Sequence, residues 1–251
     1  MFRALGLAYQ LLPAPPELFA EIVAGLGPAG FGGANVTIPH KAAALALADE
    51  ATGRARAIGA ANTLTFDGAA IRADNTDAPG FIAALPEPPA GRTALVLGAG
   101  GSARAVVWAL REAGAEVRIL NRTAERARSL AAELGAEAVA GPVDADLLIN
   151  CTSIGLRHSS APEVPDFKNL PLSADDVGEF SCVVDLVYRP GGTDLERAAL
   201  ERGITTVGGL EVLVQQGALS YEAWTGSAPD IAKMRQAAHD FHAPATPPSS
   251  R

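Results

Sequence analysis

Near mid-chain the apolar run Leu95-Val96-Leu97 gives way to Gly98-Ala99-Gly100-Gly101-Ser102-Ala103 and then to a helical stretch, Arg104 to Ala113. Strand, glycine loop, helix is the arrangement that grips a dinucleotide. Gly98 allows the tight turn, Gly100 lets backbone approach a pyrophosphate, and the small Ala103 lets the helix pack on the strand. The helix then offers unpaired N–H groups and the positive end of its dipole to the phosphates. One βαβ unit later the strand Glu116 to Leu120 ends in Asn121-Arg122-Thr123, where an NAD site would place an acid. Arg122 there suits the 2′-phosphate of NADP. Arg118, Arg126 and Arg128 crowd the same region, as a local phosphate site would require.

Ahead of the loop lies enough chain for a separate substrate domain. Asn35-Val36-Thr37-Ile38-Pro39-His40-Lys41 stands at a strand-to-helix junction, with Pro39 at the first turn. Lys41 alone has the ordinary reading of a solvated charge. Asn75-Thr76-Asp77 likewise has the ordinary reading of a helix cap. Gly59-Ala60-Ala61-Asn62-Thr63 changes the balance, because three polar punctuations then surround one apolar unit just before a cofactor loop.

The elements that carry these residues follow from periodicity and punctuation. Met1 to Leu7 reads as the end of a helix, Ala8 to Leu12 as a short strand, and Pro15-Pro16 opens a helix to about Leu26. Gly33 to Thr37 reads as a strand, and Pro39 starts a helix to about Asp49. Asn62 to Phe66 and Ala69 to Ala73 form a hairpin around Asp67-Gly68. A helix over Asp77 to Leu85 ends before the proline-rich linker Pro86 to Gly91. Strands then alternate with helices: Leu95 to Leu97, Glu116 to Leu120, Leu147 to Cys151, Cys182 to Val187 and Thr205 to Val207. Their nearly continuous apolar character predicts a parallel sheet covered on both faces. Helices over Leu210 to Trp224 and Asp230 to Phe241 close the fold, and a disordered tail is expected over 243–251.

The 251 residues are 48% hydrophobic and 19% charged, with a net charge of −8, which describes a globular protein and argues against nucleic acid as a partner. No apolar run is long enough to span a membrane, and the N-terminus lacks a secretory signal, so the cytoplasm is the expected location. Cys151 and Cys182 fall in strand-like runs and read as buried free thiols. His158, His239 and His242 have no ligand spacing, so no metal is expected. His40, beside Lys41, reads as local packing or capping.

With these residues in view, the chain resembles the shikimate dehydrogenases. The likeness rests on nine motifs in the family's order: NVTIPHK at 35–41, GAANT at 59–63, NTDAPG at 75–80, GAGGSARA at 98–105, NRTAER at 121–126, NCTSIG at 150–155, DLVYRP at 185–190, GGLEVLVQQGA at 208–218 and WTG at 224–226. The resemblance implies a two-domain α/β protein, an N-terminal α/β substrate domain plus a doubly wound Rossmann NADP domain. Residues 1–77 and 210–251 would form the first and 78–209 the second. It implies NADP-linked interconversion of 3-dehydroshikimate and shikimate in aromatic amino acid (chorismate) biosynthesis. Quinate or another cyclic polyol is the alternative substrate, and a non-catalytic NADP-binding protein the alternative class. The implied partner is a small molecule, with no nucleic acid and no membrane, and the chain is a monomer or a homodimer.

Carried over by motif, Lys41 and Asp77 become the catalytic pair. Thr37, Asn62 and Gln216 bind ring hydroxyls, and Tyr188 lies near the substrate carboxylate. Gly98, Gly100, Gly101, Ser102 and Ala103 take the pyrophosphate, while Asn121, Arg122, Thr123 and Arg126 hold the adenosine 2′-phosphate. Thr152, Ser153 and Gly209 flank the nicotinamide. Hydride transfer to a carbonyl needs a proton delivered to its oxygen, and the reverse reaction needs one removed. A lysine and a carboxylate in contact titrate together, so Lys41 and Asp77 are expected to work as a coupled pair.

Members of the family begin with a strand, a Gly-x-Pro turn and a Ser-x-Ser segment, none of which occurs here; Met1 to Leu7 matches the region just after them. The expectation is a shortened form that binds NADP and turns over shikimate poorly. A late start or a shortened paralogue would each account for it.

Overall fold

The computed structural model describes residues 1–156 and 165–242; the expected tail at 243–251 and His158 lie outside the described residues. Two sheets organise the chain. The first has four strands in the order β1-β3-β4-β2. In it β1 (Gly33–Asn35) runs antiparallel to β3 (Thr63–Asp67), β3 antiparallel to β4 (Ala70–Asp74), and β4 parallel to β2 (Glu50–Ala51). The β3–β4 hairpin turns at Gly68, whose φ of +58° is the left-handed conformation that glycine adopts without strain. Phe19, Val23, Leu64, Phe66 and Ile71 pack the core between this sheet and α1 (Phe19–Leu26). Two short helices, α2 (Lys41–Ala46) and α3 (Gly53–Ile58), connect the strands.

The second sheet has six parallel strands in the order β10-β9-β8-β5-β6-β7. They are β5 (Thr93–Leu97), β6 (Glu116–Leu120), β7 (Glu137–Ala138), β8 (Leu147–Asn150), β9 (Cys182–Asp185) and β10 (Thr205–Gly208). Strand order reverses between β5 and β8, and a crevice opens beyond the carboxyl ends of strands at such a switch. Side chains alternate between faces: Val96 joins Val106, Leu110 and Ile119 on one side, while Leu95 and Leu97 join Leu148, Val183 and Leu195 on the other. Both layers exclude water, so the central strands are mostly apolar. Helices α5 (Gly101–Glu112), α6 (Ala124–Leu134) and α7 (Asp194–Glu201) follow β5, β6 and β9.

Two helices tie the sheets together. α4 (Asp77–Ala84) leads from the first to the second, and α8 (Gly209–Thr225) leads back. The far end of α8 reaches the first sheet, where Trp224 Nε1 donates to the Leu64 carbonyl at 2.9 Å. α9 (Ile231–His242) and the N-terminal turn Phe2–Leu5 pack on α8 through Phe2, Val214, Ala218 and Met234.

The differences from the sequence expectations lie in the first 75 residues and in short elements. Ala8 to Leu12 is not a strand. Its backbone has no ladder partner, and Leu11 and Leu12 are 86% and 50% exposed, so the alternating pattern there finds no sheet to join. The helix expected from Pro15 begins at Phe19, and that expected from Pro39 begins at Lys41 and ends at Ala46. It ends early because Asp49 is drawn to the hairpin: its N–H donates to the Ile71 carbonyl, and its carboxylate accepts from the Ile71 N–H. The strand at Gly33 stops at Asn35, which leaves Thr37 in a turn. The two-residue strands β2 and β7 and the helix α3 were not expected; pieces this short exist through their tertiary partners rather than local propensity.

Candidate active site

Lys41 and Asp77 are each the first residue of a helix, α2 and α4, and their side chains meet. Lys41 Nζ donates to Asp77 Oδ2 at 2.7 Å, with the lysine only 7% exposed. Asp77 is free to do this because Asn75 does the capping. The Asn75 Oδ1 accepts from the Ala78 N–H, and its Nδ2 donates to the Ala60 carbonyl. The motif read as a helix cap is therefore both a cap and a presenting device. The Lys41 carbonyl accepts from the Ala61 N–H, which pins α2 to the segment that carries Asn62.

Asn62, 2% exposed, is the hub of the polar cluster. Its Nδ2 donates to Asp77 Oδ1 at 2.9 Å, to Thr76 Oγ1 at 3.0 Å and to Gln216 Oε1 at 3.1 Å, and its Oδ1 accepts from the Thr76 N–H. Gln216 comes from α8, 154 residues away in sequence. It can reach because Gly80 on α4 has no side chain: a Cβ there would lie 2.6 Å from the Gln216 backbone nitrogen. Gly80→Ala must push the helices apart, and overpacking of this kind costs about 1–3 kcal/mol. A lowered urea midpoint together with a raised KM for substrate is the expected result; an unchanged midpoint would mean that α8 yields without strain.

The cluster touches the glycine loop. Lys41 Nζ also donates to Ser102 Oγ at 3.2 Å, and a Cβ on Gly101 would stand 3.3 Å from the lysine Cδ. Lys41, Asp77, Asn62, Gln216 and Ser102 thus form one assembly across the two sheets. Thr37 is exposed, on the turn that closes when the His40 N–H donates to its carbonyl, and no side-chain bond links it to the cluster. Tyr188 is half-buried, and its charge adds to the effect of burial in raising the hydroxyl pKa of Tyr9. Tyr9 in turn donates to Asn35 Oδ1 at 3.3 Å. His40 bonds through Nε2 to the Ala14 carbonyl and stacks on Phe19 at 4.3 Å, a packing role away from the lysine–carboxylate pair.

The glycine loop has the shape a dinucleotide needs. Gly98 has φ +109° and lies against the Cys151 backbone, where a Cβ would come within 3.2 Å. Gly100 caps α5 with no side-chain bond and faces open space, so the first N–H groups of the helix stay available. Ala103 is fully buried beneath them. Of the four arginines, Arg118 is committed to the Asp144 carbonyl and Glu137, and Arg128 to Glu125. This narrows the basic cluster expected from sequence. Arg122 and Arg126 are exposed at the start of α6, without a hydrogen bond or ion pair from their side chains to any described residue. Asn121 Nδ2 donates to the Thr123 carbonyl and shapes that turn. The residues present fit NADP, with backbone donors for the pyrophosphate and two guanidinium groups for a 2′-phosphate.

Thr152 is held by Asn150, Ser153 is exposed, and Gly209 is packed so closely on the loop after β9 that a Cβ would meet the Leu186 carbonyl oxygen at 2.5 Å. Sequence reasoning missed Asn35, Thr63, Thr76 and Ser220, which extend the polar cluster: Ser220 Oγ accepts from Asn35 Nδ2 at 2.9 Å and bonds to Thr63 Oγ1 at 2.9 Å. Ser220 was findable, lying one helical turn beyond Gln216 on the same face. The two cysteines are free and buried, and burial pushes the Cys151 thiol up. Among the described residues no group of acids, histidines and cysteines could hold a metal, and no helix is long and apolar enough to cross a membrane.

Asp185, at the end of β9, was not singled out from sequence. Burial pushes its carboxyl from an ordinary 3.8 up to about 7, against hydrogen bonds from Thr193, Val187 and Asn150 and with the Glu196 charge adding to the rise. An acid whose folded pKa is raised contributes stability that is full below its unfolded value and lost as pH climbs through the folded one. The protein should therefore lose stability relative to Asp185→Asn between about pH 4 and pH 7, by roughly 4 kcal/mol across the window. Urea midpoints of the two proteins at several pH values test this; a constant gap would sink it.

Comparison with known proteins points one way. Three stretches match family models: residues 1–64 the shikimate dehydrogenase substrate binding domain, 86–152 shikimate / quinate 5-dehydrogenase, and 209–239 the shikimate 5'-dehydrogenase C-terminal domain. A shikimate dehydrogenase (NADP(+)) of Methylobacterium radiotolerans is 47% identical over 243 residues, covering 89% of this chain and 83% of that one. The crystal structure of a Thermus thermophilus shikimate 5-dehydrogenase in complex with NADP(H) and shikimate superimposes with a TM-score of 0.83 at 41% identity, over 95% of this chain and 90% of that one. A ligand-free 5-ketofructose reductase of Gluconobacter sp. strain CHM43 gives 0.76 at 34% identity, over 92% and 86%.

Proposed function

The chain belongs to the shikimate dehydrogenase family, and we propose that it catalyses the NADP-dependent, reversible reduction of 3-dehydroshikimate to shikimate. The observation that carries this reading is the Lys41–Asp77 pair, closed at 2.7 Å and in contact with the glycine loop through Ser102 at 3.2 Å. Such a contact sets the proton carrier beside the cofactor loop, where a proton and a hydride can reach the two ends of one carbonyl. NADPH, when bound, supplies the hydride.

The chain's own residues do the rest. Lys41 donates to the carbonyl oxygen as negative charge gathers there, and takes the hydroxyl proton back in oxidation. Asp77 holds the ammonium in place at 2.7 Å, so the two act as one unit. Asn62 and Gln216 present amide groups beside that pair, giving donors and acceptors for ring hydroxyls. Thr37 adds a hydroxyl from its turn, and Tyr188 lies toward the carboxylate end. Gly98, Gly100, Gly101, Ser102 and Ala103 seat the pyrophosphate, Arg122 and Arg126 with Asn121 and Thr123 hold the 2′-phosphate, and Thr152, Ser153 and Gly209 flank the nicotinamide. Residues 1–77 and 210–251 serve as the substrate domain and 78–209 as the cofactor domain. A cytoplasmic location fits the two free thiols, and the working unit is a monomer or homodimer.

A second reading, reduction of another cyclic polyhydroxy ketone, draws support from the likeness to the 5-ketofructose reductase. NADPH consumption with 3-dehydroshikimate, 3-dehydroquinate and 5-ketofructose offered separately decides between them. The expected kcat/KM for 3-dehydroshikimate exceeds the others by at least about tenfold, the discrimination that a site with built hydrogen bonds delivers. A higher value for 5-ketofructose would transfer the assignment to the second reading.

A further inference from the structure

Asp185 is a buried acid with no part in the proton transfer described above. It is 0% exposed, and among the described residues no cation pairs with it. Asp185 Oδ1 accepts from Asn150 Nδ2 at 2.9 Å and from the Val187 N–H at 3.0 Å, and Oδ2 accepts from Thr193 Oγ1 at 2.6 Å. Burying a carboxyl group without a cation is costly, and burial holds its pKa up near neutrality. The charged group facing it from α7 is Glu196, itself pushed up by burial, and the Cys151 thiol lies within reach of its charge. An apolar side chain would fill this place at less cost, so the arrangement calls for a reason in its hydrogen bonds.

Two of the three donors, Asn150 and Val187, lead to parts of the site, and the third, Thr193, leads to the cap of α7. Asn150, 1% exposed, uses its Oδ1 to accept from both the N–H and the hydroxyl of Thr152, at 3.0 and 2.7 Å, and Thr152 Oγ1 accepts from the Ile154 N–H. The loop after β8 therefore takes its shape from Asn150, whose amide is oriented by Asp185. Val187 begins the loop after β9, which carries Tyr188, and the Leu186 N–H is bound to the Asn150 carbonyl. The other side of that loop is the backbone of Gly209, which opens α8 and sits two helical turns before Gln216. Thr193 caps α7 in a reciprocal pair with Glu196.

We propose that Asp185 is a positioning residue for the reaction, locking the loop after β8, the loop after β9 and the start of α8 into one rigid set that keeps the nicotinamide side of the cofactor and Gln216 at a fixed spacing. The proposal rests on the dehydrogenase reading for what the loops face. The hydrogen-bond set itself does not depend on which ketone is reduced.

The test compares two ligands and three variants of the full chain. NADPH touches both the 2′-phosphate end and the loops, whereas adenosine 2′,5′-bisphosphate reaches only the former. In Asp185→Ala the dissociation constant for NADPH should rise severalfold, that for the bisphosphate should stay as in the parent, and kcat should fall by about 10²-fold, the scale of a misplaced reacting group. Asp185→Asn should recover most of kcat, since its amide oxygen still accepts from Asn150 and Val187. Thr193→Val removes the Oδ2 donor together with the side-chain cap of α7, and should give a smaller loss in the same pattern. If Asp185→Ala does not fold, Thr193→Val and Asp185→Asn decide. Parent-like kcat and NADPH affinity in Thr193→Val and Asp185→Ala, or equal losses of affinity for both ligands, would overturn the proposal. The two affinities need no turnover. Failure of the shikimate reading would instead show as a parent protein inactive on shikimate whose variants still separate the ligands.

Discussion

Replacing Lys41 with alanine should lower kcat for shikimate oxidation by about 10²–10⁴-fold while leaving NADP affinity within a few-fold of the parent. The reasoning is geometric. Lys41 Nζ is the proton-bearing group in contact with both Asp77 and the cofactor loop, at 2.7 and 3.2 Å, and no other described lysine stands there. Its stem also packs on Gly101, so alanine removes packing along with the proton carrier. Lys41→Met keeps most of the stem and separates the two effects: if proton transfer is what matters, it loses as much kcat as alanine. NADP binding by calorimetry and initial rates with saturating shikimate give the two readouts. A kcat reduced by less than tenfold in both variants would mean that some other group moves the proton. Equal loss of NADP affinity would mean that the lysine mainly holds the glycine loop.

The second large effect is at Arg122. Replacing it with alanine should weaken NADP binding about 10–100-fold and NAD binding hardly at all, because a hydrogen bond to a charged group contributes roughly 1.5–3 kcal/mol. The structure explains why the cost should fall on this residue. Arg118 and Arg128 are tied to protein acceptors, whereas Arg122 stands exposed just before α6. Arg126 lies on the same turn, and Arg126→Ala should have a smaller effect in the same direction. Titration of each variant with NADP and with NAD measures the preference directly. Equal losses for the two cofactors would remove Arg122 from the 2′-phosphate site.

How much of the molecule can be read from its residues differs between the two sheets. In the parallel sheet the central strands are buried on both faces, so Leu147 to Ile149 and Cys182 to Val184 appear in the sequence as unbroken apolar runs. Glu116–Leu120 is found where it was expected. In the first sheet the strands are short and the cues local. Residues 8–12 have the look of a strand but no neighbour to pair with, and β2 exists only because β4 offers it an edge.

The residues alone pointed to a dinucleotide site, through a glycine loop after an apolar strand and an arginine one βαβ unit on, while a lysine and an aspartate at the heads of two helices took a catalytic reading only from the family resemblance. Those signals are local, a matter of backbone conformation and side-chain type within a few positions. Folding decided which groups meet. Gln216 joins Asn62 because Gly80 lets two helices approach, Lys41 rests on the glycine loop because the two sheets close on each other, and two of four arginines are spent on neighbours. Asp185 shows the limit most clearly. Its sequence neighbours say strand, while its partners are Asn150 from the adjacent strand and Thr193 from a helix cap. Packing chooses such partners across long gaps in the chain, and side-chain types and local spacing do not encode that choice.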